Sequence, residues 1–240
     1  MATITAVRDP VSAERKFFFV MAIVFSATVA LGFSLSYLRM RQPAITLPIQ
    51  IHLHAMVFVC CVGFYVIQNG LVANGSIAIH RQIGWIGAVL AVLMVILGIT
   101  VTVLCLRRDA VPFFFTPGVF LLLDGFTVLI FAALVGAAIR MRNRPDWHKR
   151  LMLCAMALVI SPALGRILPM PLLGIWGPVA VYAASMLYIV AAMVYDARAR
   201  GSIHGAYWWG TAALTIVVLI VMLGGRAAPV VALAGWIARG

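Results

Sequence analysis

Seven times along this chain an apolar run of about 20 residues gives way to a short polar or basic break, and about 20 apolar residues is the length an α-helix needs to cross the hydrocarbon of a bilayer. The runs fall at about 17–38, 51–73, 84–106, 117–139, 151–168, 172–195 and 207–225. In lipid every backbone N–H and C=O must find a partner inside the protein, which leaves helices or a closed barrel. Unbroken runs of this length specify helices. The expected fold is an all-α polytopic transmembrane bundle of seven spans, one domain over residues 1–240, with no separate extramembrane domain. Composition agrees: 65% of the residues are hydrophobic and 10% are charged, with a mean hydropathy of +1.11, whereas a soluble domain is nearer 45–50% apolar and 25% charged.

The basic residues set the expected orientation. A cytoplasmic N-terminus places Arg8, Arg15, Lys16, Arg81, Arg140, Arg142, Arg144, Lys149, Arg150, Arg198 and Arg200 on the cytoplasmic side, eleven of the 18 Lys and Arg residues. This is the bias that orients membrane proteins, and the loop RMRNRPDWHKR is its largest contribution. The formal net charge of +12 therefore points to topology and lipid headgroups, not to nucleic acid. The first run is too long for a signal-peptide core and lacks a small-x-small cleavage site, so it reads as a retained anchor. Ser161-Pro162 predicts a kink in the fifth span. Trp85, Trp147, Tyr207, Trp208 and Trp209 near span ends read as interfacial belts. The tail 226–240 is too short to span and is expected at the interface or over a partner. The four cysteines, Cys60, Cys61, Cys105 and Cys154, read as small residues within the spans.

The polar residues inside the oily runs carry the functional information. In the second span His54, Phe58, Cys61, Tyr65 and Gln68 recur at helical spacing and share one face. That face should meet protein or water, because unpaired polar groups are costly in hydrocarbon. His52 lies on the opposite side of the same helix. Asp124 is expected roughly 10 Å from the outer end of the fourth span and Arg166 roughly 22 Å along the fifth from its inner end, at a rise of 1.5 Å per residue. These depths nearly coincide. The expectation is an outer pair, Asp124 with Arg166, and His54 close by. It reads either as a ligand-binding or proton-handling site or as a buried ion pair that fixes packing.

A second cluster, on the cytoplasmic side, comprises Gln68, Asn69, His80, Trp147 and His148. His80 and His148 each open a span and each precedes a basic residue. They read either as imidazoles ligating a metal or haem b iron between helices, or as interfacial anchors and helix caps. His204 in the following basic loop reads as solvated. Several activities lack their residues. The only lysines are Lys16 and Lys149, so a retinal Schiff base in the seventh span has no candidate. HExxH, GxSxG and nucleotide-binding glycine loops are absent.

Taken together, His54, Gln68, His80-Arg81-x-x-Gly84, His148-Lys149-Arg150-Leu151-Met152 and Arg166 resemble the pattern of a bacterial family of predicted polytopic membrane proteins of unknown function. The resemblance covers about residues 52–168. The departures are Lys149 where the family has Arg and Leu151 where it has Trp. It implies a multi-pass protein of a bacterial inner membrane. That family is loosely similar in layout to four-helix b-type membrane cytochromes, in which His residues of neighbouring spans hold haem; here only His80 with His148 could form such a pair. Three functions stay open. One is a haem- or quinone-linked redox protein. The second is a small-molecule or proton-coupled transporter or sensor. The third is an accessory subunit of a larger membrane complex, with other membrane subunits as partners beside the lipid bilayer.

Overall fold

A computed structural model describes residues 10–39 and 46–240, and the regular structure among them is helical throughout. The long helices are α1 (Pro10–Leu38), α2 (Ile49–Ala73), α3 (Ile77–Arg107), α4 (Pro117–Arg140), α8 (Gly177–Arg200) and α9 (Gly205–Gly224). Shorter helices are α5 (Pro145–Val159), α6 (Ser161–Ile167), α7 (Met170–Leu173) and α10 (Ala228–Arg239).

Six helices are long and apolar enough to cross a membrane, with mean hydropathies of 1.8 to 3.0 over their most apolar windows. Only 28–39% of each window is buried by the rest of the protein. The remainder is aliphatic surface: Val59, Val89, Val92, Ile96 and Leu187 are each 55–68% exposed. A water-soluble monomer keeps its apolar patches to a few hundred Å². A belt of this extent calls for lipid, and the chain is an integral membrane protein.

The fifth apolar run is two helices. α5 and α6 meet at Ile160 and differ in direction by 42°. Pro162 has no N–H to continue the ladder and its ring displaces the carbonyl four residues earlier. Ala163 and Leu164 instead both donate to the Ile160 carbonyl, at 2.9 and 3.1 Å. The kink expected at Ser161-Pro162 is therefore present.

α5 is the centre of the bundle. Arg150, Leu151 and every residue from Leu153 to Ile160 are buried, and α1, α4, α8 and α9 all pack against this helix. Small side chains permit such crowding. In lipid the hydrophobic effect does little to drive helices together, so association relies on close packing at small residues. A Cβ added at Gly210 of α9 would run into Cys154 Sγ, and one at Gly32 of α1 would stand 2.5 Å from the Ala163 carbonyl oxygen.

Several boundaries differ from those expected. α3 begins at Ile77, right after a turn at Gly75 (φ 80°), so His80 and Arg81 ride on its first turn instead of preceding the helix. The segment before α8 is broken into short pieces, because Pro169, Pro171 and Pro178 and the left-handed Gly174 (φ 50°) cannot continue one helix. Tyr207 is fully buried, not part of an interfacial belt, whereas Trp208 and Trp209 are 58% and 69% exposed. The tail forms α10 and packs on α3 and α4, with Ala234 buried against the region of Leu106 and Phe120.

Gly210→Val should force α9 away from α5. Overpacking of this kind costs about 1–3 kcal/mol, read as a lower melting temperature and a smaller monodisperse yield in mild detergent. Gly63→Ala, where a Cβ meets nothing within 4 Å, should leave both unchanged.

Candidate functional site

The start of α5 carries PDWHKR, and this segment organises one end of the bundle. Arg150 follows Asp146 by one turn, so the two share a face. The Arg150 guanidinium is 0% exposed and every nitrogen is engaged. Nε and Nη2 donate to the two carboxylate oxygens of Asp196 in α8 at 2.8 and 2.7 Å. Nη2 also donates to Glu14 of α1 at 2.8 Å, and Nη1 to the carbonyl and carboxylate oxygens of Asp146 at 3.0 and 3.2 Å. Lys149 joins the same carboxylates, 2.8 Å from Glu14 and 3.0 Å from Asp146. Arg200 lies 3.0 Å from Asp146. Phe18 and Tyr207 flank the Arg150 guanidinium, each ring centre 5.8 Å away. Three cations and three carboxylates cancel, which is how a charge this deep is tolerated.

Two residues before Arg150, His148 turns toward α3. Its ring centre is 6.3 Å from that of His80, the planes inclined at 73°. His148 Nδ1 lies 2.8 Å from the Ala138 carbonyl oxygen of α4. A ring nitrogen tied to a carbonyl is the proton-bearing one, which leaves Nε2 as the free acceptor or ligand. His80 lies against the Gln68 backbone, and its Nδ1 is buried without a partner. Gln68 and Tyr65 of α2 are 9% and 7% exposed. The Tyr65 hydroxyl and both polar atoms of the Gln68 carboxamide are likewise buried without hydrogen-bond partners among the described residues. The inner cluster thus brings His80 and His148 together, with Gln68 and Tyr65 on the neighbouring face of α2.

The outer cluster is looser than expected. Asp124 and Arg166 are close enough to interact electrostatically, yet no hydrogen bond or ion pair joins them. Arg166 donates to the Pro162 carbonyl of its own helix at 2.8 Å and covers the Phe33 ring at 4.4 Å. Arg39 caps the same helix end by donating to the Arg166 carbonyl at 3.1 Å. The bend at Ile160 turns Arg166 with α6 onto α1, and this is why matched depth did not produce a direct pair. His54 stays on the inward face, with Nδ1 buried and unpartnered and Cε1 beside Gly98 of α3. His52 is exposed on the other side.

His204 corrects another expectation. It is half-buried, edge-on to Trp147 at 5.0 Å, and its Nδ1 accepts the Ala206 N–H at 3.1 Å to cap α9. Burial lowers its pKa from the ordinary 6.5, which keeps the ring neutral and able to accept. The cysteines, expected as small buried core residues, correct a further expectation: only Cys154 is buried, Cys61 and Cys105 are half-buried, and Cys60 is exposed on the apolar surface.

Among the described residues no group of three or more His, Cys, Asp or Glu side chains comes together as a metal centre. Two imidazoles alone can hold a metal only where its other ligands arrive with the cofactor. The Arg150 network escaped the sequence reading, which counted Arg150 as a loop charge. Its signals were Asp146 four residues before Arg150 and an aspartate, Asp196, at the end of an otherwise apolar helix. No family model, curated protein or solved structure matches the chain.

Arg150→Met strands the buried Asp196 carboxylate, and breaking such a pair costs about 3–5 kcal/mol. The expected result is a large drop in melting temperature in mild detergent. Adding Asp196→Leu to the same protein should recover much of the loss. Lys149→Met, at a side chain 25% exposed, should cost below about 1 kcal/mol.

Proposed function

We propose that this chain is a seven-crossing protein of a bacterial inner membrane, N-terminus cytoplasmic, of the family it resembles over residues 52–168, and that it serves membrane redox chemistry through His80, His148, Gln68 and Tyr65. The bent α5–α6 pair supplies the seventh crossing. One observation carries the reading: two imidazoles from different helices stand 6.3 Å apart, one of them against the Gln68 backbone of α2, the helix on which the Gln68 carboxamide and the Tyr65 phenol have buried polar atoms without protein partners.

This donor set suits the carbonyl oxygens of a quinone headgroup. Imidazole, amide and phenol groups can hydrogen-bond a flat dicarbonyl ring, and its isoprenoid tail belongs in lipid. A quinone bound there would supply the redox chemistry, and Gln68 and Tyr65 would hold its carbonyl oxygens by hydrogen bonds. Tyr65 carries a proton on its hydroxyl, and His148 would hand one over only after Nε2 has taken one up, because its Nδ1 proton is held by the Ala138 carbonyl. Haem b is the other cofactor that a lone imidazole pair can serve, since the porphyrin supplies the remaining ligands. With a metal-to-nitrogen distance of about 2 Å and about 1.15 Å from each ring nitrogen to its ring centre, two imidazoles on either side of an iron would have centres roughly 6.3 Å apart, which matches the separation found here. The spacing suits either cofactor, and the unpartnered polar atoms of Gln68 and Tyr65 favour the hydrogen-bonded headgroup.

A second reading draws on Asp124, which makes no hydrogen bond or ion pair to the described residues and lies near Arg166, itself close to His54. An unsatisfied carboxyl in a span favours a proton-coupled transporter or sensor.

Solvent extraction and absorption spectra of protein purified from quinone-replete, haem-supplemented cells separate these. The redox reading expects bound quinone or a Soret band that His80→Ala and His148→Ala remove, with helical content kept, and that Asp124→Asn leaves in place. Protein free of both cofactors contradicts it.

A further inference from the structure

Polar side chains in spanning helices usually satisfy themselves locally. A threonine hydroxyl donates to the carbonyl four residues earlier, and Thr28, Thr100, Thr102 and Thr215 all do so at 2.8–2.9 Å. Tyr182 shares a hydrogen bond with Thr215 at 2.9 Å, and Tyr188 one with Thr28 at 2.6 Å. Against this pattern a group of atoms on α2 and α9 stands out, beside the isolated His54, His80 and Ser185. The hydroxyls of Tyr65, Tyr207 and Thr211 and both ends of the Gln68 carboxamide are buried with no hydrogen-bond partner among the described residues.

These atoms belong to two sets, one on α2 and one on α9. Tyr65 and Gln68 are three apart on α2, and Tyr207 and Thr211 four apart on α9, so each pair shares a helix face. Tyr65, Tyr207 and Cys154 of the central helix are close enough to act on one another electrostatically. Gly210, between Tyr207 and Thr211, sits directly on Cys154. Tyr207 is 0%, Tyr65 7% and Gln68 9% exposed, so bulk solvent does not reach them. Leaving a buried polar group unsatisfied costs about 1–3 kcal/mol, and five such atoms in one region exceed what a fold tolerates without a bound polar molecule. Buried water, which makes two to four hydrogen bonds to such groups, is the ligand that matches scattered hydroxyl and amide atoms.

We propose that Tyr65, Gln68, Tyr207 and Thr211 form an internal hydration site that holds ordered water between α2, α5 and α9. At one side Tyr207 borders the Arg150 guanidinium at 5.8 Å. At the other the Gln68 backbone meets His80. The water cluster thus bridges the charged network and the imidazole pair, and it is the route by which protons reach those imidazoles. The hydration site stands on the unpartnered atoms and not on the redox reading, which cofactor content tests separately.

X-ray radiolytic labelling in ¹⁸O-water tests it, because bound water is activated in place and marks its neighbours. Using the full-length protein in nanodiscs, Tyr65 and Tyr207 should take up label about tenfold faster than Phe25 and Phe131, aromatic rings buried as deeply in apolar surroundings. Gln68→Leu should then cut Tyr65 labelling severalfold and lower the melting temperature. Labelling of both tyrosines at the rate of the two phenylalanines overturns the proposal. So does a Gln68→Leu protein that melts higher than the original, the result expected where the carboxamide is dry and merely unsatisfied.

Discussion

Arg150 is a permanently charged side chain held away from water in the middle of a bundle whose outside is aliphatic. A guanidinium has five N–H donors in a rigid plane, and here they are spread over carboxylates from α1, α5 and α8 together with one carbonyl. Three of the chain's six acidic residues are committed to this one place. The two-pronged contact with Asp196 fixes distance and also rotation, because it is satisfied only with both groups coplanar. A buried ion pair of this kind adds little net stability over an apolar replacement, yet it is costly to break in half. Its consequence is specificity: α1, α5 and α8 can be combined in one register and no other.

That register carries the rest. α5 and α6 are narrow, with Cys154, Ala155 and Ala157 along the first and Ala163 on the second, and their neighbours present Gly210 and Gly32 where they touch them. Once the start of α5 is anchored through Arg150, His148 is set opposite His80 and Cys154 lies beneath Gly210. Tyr207 is drawn into the core, where its ring packs over the guanidinium. The imidazole pair and the unpartnered hydroxyls of the interior therefore share one positioning device, the charged knot at the start of α5.

Much of this was readable from residues alone. Apolar run length gave the helices, the pair Ser161-Pro162 gave the bend, and helical spacing gave the inward face of α2. His80 and His148 open helices that run the same way, so their meeting at one end followed from topology. The Arg150 knot was not readable, because its partners lie 46 and 136 positions away and both arginine and aspartate sit where loop charges are expected. Asp124 and Arg166 show the opposite error. Counting residues along two helices gives height but not rotation about each axis, and the α5–α6 bend carried Arg166 onto Phe33. Tyr207 was misjudged for a related reason: an aromatic residue at a helix start reads as a headgroup anchor unless a buried cation is known to lie beneath it.

The account rests on the Arg150 guanidinium being dry and in direct contact with the Asp196 carboxylate. Dipolar-recoupling solid-state NMR on protein reconstituted in bilayers, with ¹⁵N-arginine and ¹³C-aspartate labels and Asp196→Asn to assign the signal, measures that contact directly. The account predicts a strong short-range coupling between the two side chains and guanidinium protons that exchange slowly with water. A mobile, rapidly exchanging Arg150 with no coupling to Asp196 would contradict it.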